Sequence, residues 1–247
     1  MWLFGLAACS FHPGNAPRAD GPAGDVPVAD VPADIATDAA IDAVPTPTPI
    51  EFVTEGHGQW ADNLHNTVTV TIANEVAGNF NAVVLSWYTP GSTLLTLTDS
   101  AGNLYTLADS ATDGTRVQSV YYSANITASA SDAVTAVWSG NAMYCEIRIA
   151  QYSGLAKTSP VDKAVHTTGN TSSQSIGPIN TTHAHDLLFA AIVGSSTMPG
   201  AGYSQRISFV GDFVEDRVVT TTGSFLATAS GTATNWVGQL VAFKGAN

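Results

Sequence analysis

Between Thr67 and Ile72 apolar and polar residues alternate without a fault, Val68, Val70 and Ile72 against Thr67, Thr69 and Thr71. A period of two puts one set on each face of a β-strand, so this segment reads as a strand with its valines inward. Further strands are predicted at 82–88, 94–98, 104–107, 116–123, 133–138, 144–152, 205–209, 213–221 and 236–243. Leu187 to Val193 is apolar throughout, the mark of a central strand covered on both faces. Leu94–Thr98 and Leu104–Leu107 flank Asp99-Ser100-Ala101-Gly102-Asn103, which predicts a hairpin with Gly102 at positive φ. No window carries a helical stripe of more than two turns. About a dozen short strands separated by Gly, Asn, Asp, Ser and Pro clusters predict an all-β fold, a two-sheet antiparallel jelly-roll sandwich. The span 50–247 is too long for one immunoglobulin domain, and no internal sequence repeat divides it.

The first fifty residues follow another pattern. From Pro13 to Pro49 the chain is largely Ala, Asp, Pro, Val and Gly, and it has no aromatic residue. Prolines 27, 32, 45, 47 and 49 break any helix, and Asp20, Asp25, Asp30, Asp34, Asp38 and Asp42 repel one another. Such a segment cannot bury enough apolar surface to offset chain entropy, so residues 10–49 are expected to form a disordered tether. Three parts follow: 1–9, 10–49 and a β-sandwich domain over 50–247.

Leu6-Ala7-Ala8-Cys9 resembles the lipobox of bacterial lipoproteins, in which cleavage precedes the cysteine and its thiol carries the lipid. No basic residue precedes the short apolar run Trp2–Ala8, which departs from that pattern. The resemblance implies export, lipidation at Cys9, and a cell-surface or outer-membrane location. Ser10, rather than Asp, follows the cysteine, which in Gram-negative lipoproteins favours the outer membrane. A second resemblance is carried by TDSAGNLYTL (98–107), YYSANI (121–126), QYSGLA (151–156), HDLLFA (185–190), GAGYSQR (200–206) and AFKG (242–245). These are similar to concanavalin-A-like extracellular β-sandwich domains of bacterial exoproteins without an assigned activity. That likeness implies a jelly-roll and brings no catalytic residues.

Charge narrows the function. Only 11% of residues are charged, and the net charge is −12 with eight Lys and Arg in all, scattered singly. Nucleic acid is excluded as a partner, because phosphate binding needs clustered basic residues. Of the two cysteines, Cys145 alternates with Ile147 and Ile149 and reads as a buried thiol. Glu146 shares its face with Arg148, which is expected to pair with it and lower its pKa. Glu215 and Arg217 are expected to pair likewise. His183 and His185 fall on one strand face, but two ligands do not make a metal site, and the segment reads as the start of a strand. Asp99 and Asn103 offer a structural calcium site, although the hairpin turn alone explains them. No nucleophile elbow, zinc signature or phosphate loop is present.

Trp60 lies in the predicted loop Gly56–Asn66, with the polar residues Asp62 and Asn63 beside it, and Tyr203 follows Gly200-Ala201-Gly202. An exposed aromatic ring flanked by amides and carboxylates suits a sugar. Trp60, Asp62, Asn63 and Tyr203 are therefore the candidate ligand-binding residues, while Trp87, Trp138 and Trp236 are expected in the core. The expected function is a non-catalytic, surface-tethered binding or adhesion module for polysaccharide or a cell-surface glycan. The alternatives are a secreted glycoside hydrolase or lyase, and a structural envelope protein without a small ligand.

Overall fold

A computed structural model describes residues 46–60, 65–88, 91–232 and 235–246. Cys9, the segment 1–9 and nearly all of 10–49 lie outside these residues, as do Asp62 and Asn63. The described part folds as an all-β sandwich of antiparallel sheets. Its first eight strands are β1 (Glu51–Trp60), β2 (Thr67–Glu75), β3 (Phe80–Trp87), β4 (Leu94–Thr98), β5 (Thr106–Thr112), β6 (Val117–Ala124), β7 (Ser129–Trp138) and β8 (Cys145–Ser153). The next eight are β9 (Val161–Gly169), β10 (Ser173–Asn180), β11 (Asp186–Val193), β12 (Ser196–Met198), β13 (Ser204–Phe209), β14 (Asp212–Val219), β15 (Ser224–Gly231) and β16 (Trp236–Lys244).

The alternation of β2 is realised residue by residue: Val68, Val70 and Ile72 are buried and the intervening threonines exposed. Strand β11 is buried at every position, as its unbroken apolar run requires. Trp87, Trp138 and Trp236 are all core residues.

Four sheets form where the sequence suggested two. Strand order is β1-β8-β3-β6-β5 in one five-stranded sheet and β13-β14-β11-β16-β9 in the other, with three-stranded sheets β2-β7-β4 and β10-β15-β12. Adding eight to every strand number of the first half gives the second half. The sixteen described strands are thus a topological duplication, although no sequence repeat announces it. Side chains of the two five-stranded sheets meet in a central layer, Phe80, Val84 and Tyr152 against Phe189, Val214 and Phe243. Each three-stranded sheet covers an outer face. Ile72 and Trp138 pack on Leu85 and Ile147, and Ile176 and Ala227 pack on Leu188 and Leu240. Both faces of β3, β8, β11 and β16 are consequently buried, at ~1.5–3 kcal/mol for each large apolar side chain.

The predicted 94–107 hairpin does not form. Strand β4 pairs with β7 in an outer sheet, whereas β5 pairs with β6 in a central one. The intervening loop crosses between sheets. Asp99 organises it, accepting hydrogen bonds from the Asn103 N–H and Nδ2 and from the Tyr105 hydroxyl, each at 2.8 Å. Gly102 does take positive φ, at 77°. Leu104 is left 86% exposed, outside any strand. Strands β1, β9, β10, β12 and β15 had no clear reading in the sequence.

The central layer is apolar toward the phenylalanines and polar toward its other end. There Arg148, fully buried on β8, reaches across to the second half. Its Nη1 donates to the Ile192 and Phe213 carbonyls at 3.1 and 2.9 Å, and its Nη2 to Gln118 Oε1 at 3.0 Å. Gln118 Nε2 donates to the Ala191 carbonyl at 3.0 Å. These bonds staple the halves with a charge that finds its acceptors entirely within protein.

Candidate functional site

The polar end of the central layer opens into a cleft of about 440 Å³ lined by Gln59, Tyr88, Tyr144, Ser195, Val210 and Asp212. Both halves build it. Gln59 is the penultimate residue of β1, Tyr88 follows β3 and Tyr144 precedes β8, while Ser195 lies between β11 and β12, Val210 sits in the β13–β14 turn and Asp212 opens β14. The Tyr88 N–H donates to the Met143 carbonyl at 2.8 Å, which ties the two tyrosine-bearing segments together. Their rings meet edge to face at 5.1 Å, and Tyr144 is 39% exposed. The Tyr88 hydroxyl accepts from Arg116 Nε at 3.0 Å, and Arg116 in turn pairs with Asp113 at 2.7 Å.

Three lining residues hold left-handed backbone without being glycine: Tyr144 at φ 53°, Ser195 at 54° and Val210 at 48°. Such conformations cost about 1–3 kcal/mol each, most for a β-branched residue, and collect at ligand sites.

Behind the cleft wall Glu146 is fully buried. It accepts from Ser86 Oγ at 3.0 Å and hydrogen-bonds Asp212, whose Oδ1 also accepts from the Gly194 N–H at 2.9 Å. Arg148 Nε lies 3.2 Å from Glu146 Oε1, yet neither atom completes a hydrogen bond, so the contact is one of charge alone. The expected ion pair is present and Arg148 does pull the carboxyl down, but burial outweighs it. Burial lifts the Glu146 carboxyl to about 8, Arg148 opposes the shift and Asp212 adds to it. The sequence showed a like-faced Arg but not the second sheet that takes water away.

The sequence candidates lie elsewhere. Trp60 is the last residue of β1, not the middle of a loop, and is 45% exposed. One face of its indole stacks on His65 at 4.1 Å and 19°. Trp60 opposes Cys145 whereas Gln59 opposes Glu146, so Trp60 and the cleft occupy opposite faces at one end of the same sheet. Tyr203 is 8% exposed and packs in the outer core with Leu188 and Phe213, so its ring offers no platform. Gly200 folds the segment inward, its carbonyl accepting from the Tyr203 N–H at 3.0 Å and its N–H donating to Glu215 at 2.8 Å. Burial raises the Tyr203 hydroxyl well above its ordinary pKa.

Cys145 is a buried thiol that donates to the Ala142 carbonyl at 2.8 Å. The Glu215–Arg217 pair does not form. Glu215 turns to Gly200, Arg217 lies over the Phe225 ring at 5.8 Å, and the intervening Asp216 takes Arg206 at 2.7 Å and the Tyr152 hydroxyl at 2.7 Å. His183 turns back on Asp186 at 2.9 Å just before β11, His166 meets Asp109 at 3.2 Å, and His57 meets Glu55 at 2.7 Å. Among the described residues no group of three His, Cys, Asp or Glu side chains is arranged to hold a metal. Sequence reasoning missed Gln59, Tyr88, Tyr144 and Asp212, because the cleft exists only where the two halves meet. No family model, curated protein or solved structure matches the chain.

Proposed function

We propose that this chain is a non-catalytic binding module whose cleft takes a polar polymer, a polysaccharide or surface glycan. The observation that carries the reading is the Tyr144 ring, exposed in a cleft and fixed beside Gln59, Ser195 and Asp212. A pyranose presents an apolar face for stacking and hydroxyls for an amide, a hydroxyl and a carboxylate. Export and lipid anchoring belong to the same proposal and rest on Leu6–Cys9 and residues 10–49 of the sequence.

The glycoside hydrolase reading would need Glu146 and Asp212 as its acid pair. Hydrolases set their carboxyls ~5–10 Å apart, with the scissile bond between them. Glu146 and Asp212 are hydrogen-bonded to each other, and Glu146 is fully buried. No sugar fits between them.

Calorimetric titration of the full chain with neutral and uronic-acid oligosaccharides tests the proposal. Tyr144→Ala is expected to weaken binding about tenfold or more, a loss of ~1.4 kcal/mol, with little change in melting temperature. Unchanged affinity in Tyr144→Ala would remove the cleft from consideration. Loss of binding in Trp60→Ala alone would move the site to the opposite face of the sheet.

A further inference from the structure

At the end of the first half remote from the cleft, three buried oxygens lack hydrogen-bond partners. They are Glu75 Oε2 on β2, Asn81 Oδ1 on β3 and Asp132 Oδ2 on β7. The three residues are 4%, 0% and 0% exposed. They form one cluster: Asn81 Nδ2 donates to Glu75 Oε1 at 2.5 Å, and the Glu75 and Asp132 carboxyls are in direct contact. The other Asp132 oxygen is already used, accepting from Ser100 Oγ at 2.6 Å and the Ala101 N–H at 3.0 Å. Gln151 Nε2, beside Asn81 across the β3–β8 ladder, is a further buried polar atom without a partner.

Buried polar atoms are nearly always satisfied, and a buried carboxylate needs an opposite charge. Glu146 has Arg148 in that role. The charges acting on Glu75 are those of Asp132 and Asp99, both acidic, and no described Lys, Arg or His forms an ion pair with Glu75 or Asp132. Two carboxylates and an amide carbonyl, with no imidazole or thiolate, make an oxygen-only donor set suited to a hard cation.

We propose that Glu75, Asp132 and Asn81 hold a calcium ion that ties β2, β7 and β3 together. The ion supplies the missing charge and gives each orphaned oxygen a partner. Water completing its shell accepts from Gln151 Nε2. Asp99 stands outside the set, because its oxygens are taken by Asn103 and Tyr105. This site is distinct from the calcium option that Asp99 and Asn103 offered in the sequence.

Equilibrium dialysis of the full chain, stripped with EDTA and returned to Ca²⁺, tests this directly. The expected result is one tightly bound Ca²⁺ per chain and a melting temperature raised by about 5 °C. Glu75→Gln and Asp132→Asn are each expected to lose both effects, and Asp99→Asn to keep them. In EDTA, Glu75→Gln should melt no lower than wild type, since it removes an uncompensated charge. A wild-type chain that binds no Ca²⁺ and melts identically in EDTA and Ca²⁺ overturns the proposal, and leaves a shared proton to join the two carboxyls. Ca²⁺ binding that survives in the Glu75→Gln/Asp132→Asn double variant overturns it equally.

Discussion

Glu215→Gln should change how stability depends on pH, by an amount readable from one buried carboxyl. Glu215 is fully buried on β14, with Oε2 bonded to the Gly200 N–H at 2.8 Å and Oε1 without a partner. Burial lifts its pKa from 4.5 to about 7, the Gly200 N–H opposing and the Asp216 charge adding. Each unit is worth 1.36 kcal/mol, so the folded chain prefers the protonated form by about 3 kcal/mol. A folded-state pKa raised above the unfolded value gives stability that is complete below ~4.5 and is lost as pH rises through ~7. Gln is neutral throughout and escapes that loss. Urea unfolding at pH steps from 5 to 8 should therefore show Glu215→Gln gaining on wild type by up to ~3 kcal/mol, with an unchanged denaturant slope. Other groups titrate in this range too, Glu146 and Asp186 among them, but they are common to both chains and cancel in the difference. Tyr203, which feels the Glu215 charge, is held far above this range. Parallel pH curves for the two chains would refute the assignment of the raised carboxyl to Glu215.

Arg148→Met should cost about 3–5 kcal/mol in the same assay, because it strands the Ile192 and Phe213 carbonyls and leaves Glu146 without its cation. A loss under ~1 kcal/mol would mean that the halves are held by their apolar layer alone. Trp60→Ala should cost less than ~1 kcal/mol while Trp138→Ala, fully buried, costs ~3–5; equal losses would make Trp60 a structural plug.

What was legible in the sequence was whatever a single strand declares about itself. The faultless alternation of Thr67–Ile72 gave β2 its register, and the apolar run from Leu187 gave β11 burial on both faces. Cys145 and the three core tryptophans followed from the same periodicity. What alternation cannot state is which sheet faces a given side of a strand. Glu146 and Arg148 look like the polar face of β8, yet that face meets a second sheet and not water. The duplication stayed hidden because equivalent places carry unrelated chemistry. The fourth residue of β8 is Arg148, and the fourth of β16 is Gln239. The cleft was illegible for the same reason, since Tyr144 and Asp212 meet only through the contact between the halves. Strand β1 was obscured by its glycines. Gly56 and Gly58 pass so close to Thr71 and Val70 that a Cβ would stand 3.0 and 2.9 Å away, so β1 lacks the side chains that advertise a strand.

The first strand also decides how the domain would carry tension. Pro49 and Ile50 lie against Gly154, and the Ala246 N–H donates to the Gly154 carbonyl at 2.8 Å, so residues 49, 50 and 246 share one end of the sandwich. Gln59 and the cleft lie at the other end of β1, ten residues or ~30 Å further along the strand. A pull on the N-terminal side, resisted by ligand in the cleft, would run along β1 instead of peeling it away from its neighbour. The whole β1–β8 ladder, from Glu51 opposite Ser153 to Trp60 opposite Cys145, would then bear the force together, its hydrogen bonds loaded in shear.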